Sequence, residues 1–159
     1  MCVHSRADVV FVGPNNRWTW VSPALASEDG EEVKAIALSA SSAPGLERVS
    51  DLGAIGAIDP ARAFGFEFDG LVASDVTASK SRVDRGGQTY YQWELDDGAS
   101  AFLLASCVSG GALYAFCMQV AKDKFTNDPA KYRAVLDSFT VEKVDESRAD
   151  MSSRIYENR

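Results

Sequence analysis

The residues of this chain that could do chemistry are few and scattered. General acid-base and nucleophilic catalysis need a positioned base, and the single histidine, His4, sits in a stretch expected to be a frayed terminus. That excludes most Ser-His and Cys-His schemes. Three cysteines, Cys2, Cys107 and Cys117, are an odd number without zinc-ligand spacing, so they form neither a disulfide framework nor a metal site. Asp75, Glu94, Asp96 and Asp97 could converge as paired carboxylates, but their spacing does not set them apart from surface charge. The acidic run Glu28-Asp29-Gly30-Glu31-Glu32 lacks the ligand pattern and terminal bidentate Glu of a calcium loop. There is no G-x-G-x-x-G, P-loop, H-E-x-x-H or G-x-S-x-G. The expectation is a binding or auxiliary module and no enzyme, because catalysis needs titratable groups held in a pocket.

The elements that would position these residues come from one domain. A chain of 159 residues can bury roughly 70% of its unfolded surface. Its 46% hydrophobic and 25% charged composition is that of an ordinary globular protein. The net charge of −7, with no basic cluster, argues against a nucleic-acid partner, since phosphate binding is driven by Lys and Arg. The first ten residues carry neither a secretory h-region nor an Arg/Ser-rich transit sequence. Either the chain is cytosolic or a targeting segment is absent from it.

The organising stretch is Gln88 to Val120. Tyr90, Gln92 and Glu94 alternate with Tyr91, Trp93 and Leu95, the period of a strand with one face packed. Asp96-Asp97-Gly98 marks a hairpin turn. From Ala99 to Ala121 there is no charged residue, a length that alone could span a membrane. Gly110-Gly111 splits the run into two halves of strand length, and Val108, Tyr114, Phe116 and Val120 favour extended backbone. A buried hairpin follows, without a transmembrane segment. With Ser109 opposite Ala112, Cys107 faces Tyr114 and Cys117 faces Leu104, which puts the thiols on opposite faces of the sheet. A shift of one residue would still leave them about 13 Å apart, beyond disulfide reach.

Elsewhere, Val9 to Val12 and Val33 to Ala40 read as strands, and Ser50-Asp51-Leu52-Gly53 as a turn or helix entry. Asp59-Pro60 predicts a helix to about Phe68, with Ala61, Phe64 and Phe68 on one face. Val72 to Val83 reads as a strand leading into Asp84-Arg85-Gly86-Gly87. Asn127-Asp128-Pro129 opens a helix whose Tyr132, Val135, Leu136 and Phe139 form a stripe that docks on a sheet. A last strand begins near Val141. The order predicts an α+β fold, a twisted antiparallel sheet covered by helices. The expected division is a frayed segment over 1–8, one domain over 9–144 and a charged tail over 145–159. Candidate partner contacts are Arg17, Trp18 and Trp20, where one or both tryptophan rings otherwise cap an edge of the core, and Arg154, Ile155 and Tyr156, with Ile155 and Tyr156 as anchors if the tail orders on a partner.

The run Gly86-Gly87-Gln88-Thr89-Tyr90-Tyr91-Gln92-Trp93-Glu94, then Gly111-Ala112-Leu113-Tyr114, then Ser138-Phe139-Thr140-Val141, resembles the PsbP family of extrinsic thylakoid-lumen proteins. Those proteins share G-x-x-Y-Y-x-x-E, G-x-L-Y and a closing S-F-x-V. Phe11-x-x-Pro14 with Trp18, Val49-Ser50-Asp51-Leu52-Gly53 before Asp59-Pro60, and Ala78-Ser79-Lys80-Ser81-Arg82 agree in order, so the likeness covers about Phe11 to Val141. It implies an α-β-α sandwich around a central twisted antiparallel sheet and a chloroplast thylakoid-lumen address. It also implies peripheral attachment to photosystem core or antenna subunits, without catalysis. Photosystem II and its oxygen-evolving side are the first expectation, and photosystem I the second. Calcium enters only through this resemblance, because classical members help photosystem II retain it. The family often has a His in the strand before G-x-L-Y, and Ser100 to Ser109 has none. Only ten residues precede Phe11, so the extended N-terminal arm is expected to be missing here. The rival readings are a small enzyme or small-molecule carrier with a pocket between helix and sheet, and a general interaction module on the same scaffold.

Overall fold

Alternating apolar positions separated by glycine- and proline-containing turns divide this chain into short strands and shorter helices. The computed structural model describes residues 9–12, 17–20 and 33–141, with side chains from residue 33 onward. The strands and helices in chain order are β1 (Val9–Val12), β2 (Arg17–Trp20), β3 (Val33–Ser42), α1 (Pro60–Ala63), β4 (Asp75–Val83), β5 (Thr89–Asp96), β6 (Ser100–Ser109), β7 (Ala112–Ala121), α2 (Lys122–Asn127), α3 (Pro129–Asp137) and β8 (Phe139–Thr140). Single turns of 3₁₀-helix lie at Val49–Leu52 and Ile55–Ala57. Five strands form an antiparallel sheet in the order β3-β7-β6-β5-β4, and β1, β2 and β8 form a smaller one. The fold class is α+β.

This strand order dictates what covers the sheet. β3 and β4 are its opposite edges, so the chain between them must traverse a face. It does so carrying Val49, Ala61, Phe64, Phe66 and Leu71, which bury against Tyr91, Trp93, Leu95, Phe102, Leu104 and Cys117. The other face packs Tyr90, Leu103, Ala105, Cys107, Tyr114, Phe116 and Met118 against Tyr132, Val135 and Leu136 of α3, with Phe139 just beyond it. The rings of Phe116 and Phe139 stack with centroids 5.7 Å apart. Each face of the sheet thus has its own apolar cluster.

Local chemistry sets the boundaries. Gly110 and Gly111 both take positive φ, 59° and 76°, which lets β6 turn directly into β7. The resulting register pairs Ser109 with Ala112, Cys107 with Tyr114 and Leu104 with Cys117, as expected from the sequence. The thiols lie on opposite faces. Asp128 accepts a hydrogen bond from the Lys131 amide at 3.3 Å and precedes Pro129 at the first turn of α3, the N-cap and proline arrangement read from the sequence. Asp51 accepts from the amides of Glu47 and Arg48 at 2.8 and 3.1 Å, and these bonds hold its carboxyl below the usual carboxylate range.

Several expectations need correction. The helix from Asp59-Pro60 ends at Ala63 and does not reach Phe68, because Gly65 turns the backbone to a φ of 74°. Phe64, Phe66 and Phe68 enter the core from irregular chain instead. Phe139 is not on α3. It sits in β8, which precedes Val141, where the last strand was expected to begin. β4 starts at Asp75, since residues 71–73 form a turn. β5 is packed on both faces where the sequence suggested one, and α2, a charged segment, carried no helical stripe to announce it.

Tyr90 ties the sheet to the strand beyond α3. Its hydroxyl donates to Asp84 Oδ2 at 2.9 Å and accepts from the Val141 amide at 2.8 Å, and the Arg82 guanidinium lies 4.1 Å from its ring centroid. Tyr90→Phe should cost about 1–3 kcal/mol, since it strands a buried amide and removes a partner of Asp84. Chemical denaturation at pH 7 measures this. Burial pushes the Cys107 and Cys117 thiols and the Tyr90 and Tyr114 phenols up. The fold therefore holds these groups neutral, and the stability this contributes is fully present below the unfolded thiol value of about 8.5 and is lost as pH rises toward the folded values. Denaturation midpoints should fall above about pH 8.5, less steeply in the Cys107→Ala/Cys117→Ala variant. Midpoints that stay flat to strongly alkaline pH would contradict the assignment.

Candidate functional site

Directly paired residues of neighbouring strands share a face. β4 and β5 pair Lys80 with Gln92 and Ala78 with Glu94, so these four side chains stand beneath α3. Helical spacing brings Arg133, Leu136 and Asp137 of α3 over them, since positions i, i+3 and i+4 share one side. Between helix and strands lies a pocket of about 310 Å³, lined by these residues together with Ser79 and Trp93.

Ion pairs stand at both ends. Arg133 makes a two-pronged contact with Glu94, Nε to Oε2 at 2.7 Å and Nη2 to Oε1 at 2.9 Å. The Glu94 hydrogen bond raises the Arg133 pKa further. One helical turn on, Asp137 lies 3.9 Å from Lys80 Nζ and 3.8 Å from Arg82 Nε. Arg82 also donates from Nη2 to the Phe139 carbonyl at 2.8 Å. α3 is thus held over the edge of the sheet by opposite charges at two points. Leu136 and Ala78 supply apolar wall between them.

At the floor, Gln92 is only 2% exposed, and neither its Oε1 nor its Nε2 has a hydrogen-bonding partner among the described residues. Its neighbour across β6 is Ala105, which is too small to fill the space or bond the amide. Two other buried polar side chains, by contrast, are satisfied. Ser106 donates to the Tyr114 carbonyl at 3.0 Å, and Gln88 Nε2 donates to the Val108 carbonyl at 3.1 Å. No histidine or cysteine lines the pocket, so it offers hydrogen bonds and compensated charge, chemistry suited to holding a molecule.

The carboxylates singled out in the sequence do not form an acid-base pair. Asp75 and Asp96 are directly opposed across β4 and β5, but Asp96 is engaged by Lys122. Asp97 accepts from the Ala99 and Ser100 amides at 2.9 and 2.6 Å, and Glu94 is held by Arg133. Among the described residues no three His, Cys, Asp or Glu side chains gather to hold a metal.

Arg17, Trp18 and Trp20 lie on β2, the middle strand of the small sheet, with Trp18 paired to Phe11 and Trp20 to Phe139. Their side chains are outside the described set, as are Arg154, Ile155, Tyr156 and the acidic run 28–32. The core beneath Trp93 and Phe116, where a solid interior would oppose a carrier, is packed. The pocket is displaced from it, toward the edge strand. Sequence reasoning missed Gln92, Arg133 and Asp137. The available signal was Gln92 itself, an uncharged polar residue between Tyr91 and Trp93 in an otherwise packed strand. Among the described residues no helix is long and apolar enough to cross a membrane.

No protein-family model and no curated protein sequence matches the chain. Its α+β architecture, one antiparallel five-stranded sheet with a crossing segment on one face and α3 on the other, does have a counterpart among solved structures. It is similar to the solution structure of cyanobacterial PsbP (CyanoP) from Synechocystis sp. PCC 6803, with a TM-score of 0.54 and 18% identity over 86% of this chain and 80% of that one. The chain has a PsbP-like fold.

Gln92→Leu should stabilise the protein by about 1 kcal/mol, because it removes a buried amide that no group among the described residues satisfies. Urea denaturation of the two proteins at equal pH measures the difference, and a loss of stability would show that the amide is satisfied in the folded state.

Proposed function

We propose that this chain is a non-enzymatic extrinsic subunit of a photosynthetic complex. It acts on the lumenal side of the thylakoid and stabilises a photosystem or assists its assembly, on the oxygen-evolving side of photosystem II before photosystem I. The observation that carries the reading is the structural likeness to cyanobacterial PsbP over most of both chains. The ordered motifs Gly87-x-x-Tyr90-Tyr91-x-x-Glu94, Gly111-x-Leu113-Tyr114 and Ser138-Phe139-x-Val141 support it independently.

In this reading the sheet, α3 and the crossing segment make an α-β-α sandwich whose core is occupied by packing, so the docking residues lie outside it. Arg17, Trp18 and Trp20, together with Arg154, Ile155 and Tyr156, are the assigned contacts with core or antenna subunits. Calcium belongs to this reading only through the family resemblance. A net charge of −7 calls for basic surface on that partner.

Reconstitution with isolated thylakoid membranes and purified photosystem II particles tests the proposal. The protein should sediment with the particles at low ionic strength and be released by washing with concentrated salt, which screens exposed charge pairs. A Trp18→Ala/Trp20→Ala variant should bind about tenfold more weakly. A protein that stays in the supernatant at every ionic strength, with photosystem I as well as photosystem II, is not such a subunit.

A further inference from the structure

We propose that the pocket beneath α3 is a binding site for a small, uncharged molecule with a planar cis-amide edge, such as a primary carboxamide, a lactam or a ring imide, and that Gln92 reads that edge. Buried polar atoms are nearly always paired. Gln92 is 2% exposed, lines the pocket, and has both a donor and an acceptor unmatched among the described residues. Its amide presents Nε2-H and Oε1 side by side. The complement of that pattern is an N-H and a C=O held side by side on another planar group, which closes two near-parallel hydrogen bonds, as when an Asn or Gln side chain reads a base edge.

Charge and size narrow the class. Arg133 is neutralised by Glu94 at one end of the pocket, and Lys80 and Arg82 face Asp137 at the other. An ionic ligand would have to displace one of these partners, whereas a neutral one leaves both in place. A volume of about 310 Å³ falls at the lower end of small-molecule sites, and the flanking Leu136 and Ala78 suit the apolar faces of a ring. The inference stands apart from the proposed attachment to a photosystem, because it uses none of the docking residues.

The test is a titration of the ¹⁵N-labelled full chain with 2-pyrrolidone, nicotinamide and uracil, following the Gln92 side-chain NH₂ signals by NMR. N-methyl-2-pyrrolidone serves as a control that keeps the carbonyl and lacks the N-H. The expected result is a saturable shift of the Gln92 signals with at least one of the three probes. Affinity should fall by about tenfold or more for the N-methylated control and in Gln92→Leu. Ala78→Leu, on the exposed edge strand, narrows the pocket while leaving the Gln92 side chain itself unchanged and should abolish the shift. It decides the matter if Gln92→Leu does not fold. Absence of saturable binding by all three probes up to their solubility overturns the proposal, as does binding indifferent to N-methylation, to Gln92→Leu or to Ala78→Leu.

Discussion

The structure depends on one strand having no solvent-facing side. β6 is the middle strand of five, and all ten of its residues are buried. A charged side chain there would have nowhere to go, so the strand and its partner β7 are built from uncharged residues. Its alternate residues feed two separate clusters, Leu103, Ala105 and Cys107 toward α3, Phe102 and Leu104 toward the crossing segment. The polar groups it does carry are tied. Ser100 Oγ accepts from Lys34 Nζ and Gln119 Nε2, each at 3.0 Å, which ties the Val33/Val120 end of the β3-β7 pair to the central strand. Unlike these tied groups, the amide of Gln92 on the adjacent strand has neither atom partnered among the described residues.

Much of this was legible from the sequence, because hairpins announce themselves locally. The alternation around Tyr90 and Trp93, the Asp-Gly and Gly-Gly turns and the absence of charge across β6 and β7 set the strands, their register and the opposed thiols. The capping residues marked where α1 and α3 begin. Less legible was where a helix stops when tertiary packing recruits its residues differently. Phe64, Phe66 and Phe68 satisfy a helical stripe poorly and an irregular wedge well, and Gly65 permits the latter. The pocket was hidden for a deeper reason. It arises from the distance between α3 and the β4-β5 edge, and the pairs that set that distance, Arg133 with Glu94 and Asp137 with Lys80, join residues far apart in the chain. Charged residues on an amphipathic helix look alike in sequence whether they face water or a strand.

Fold and site point to different layers of function. The PsbP-like sheet is a scaffold whose interior is consumed by its own stability, so a docking surface for any partner has to lie on residues the core does not need. The pocket is instead a feature of the margin, where the sheet ends and α3 overhangs it. β4 there is exposed along nearly its whole length and carries Lys80, Arg82 and an irregularity between Val76 and Ala78, devices that discourage further strands from adding to the edge.

The pairing of β3 with β7 has a kinetic side. β4 to β7 form a meander in which each strand meets the next across a short turn, but β3 must match Val33 with Val120 and Ser42 with Ala112 across most of the domain. Loop closure of that length is entropically slow compared with hairpin formation. The meander should therefore assemble first, leaving the open edge of β7 and the face beneath the crossing segment transiently bare. β3 then acts as the latch of the folding reaction: its arrival both completes the sheet and draws the crossing segment over Trp93. Until that moment the folding chain exposes its most apolar hairpin, and this makes β3 docking the step at which chaperone assistance would count most.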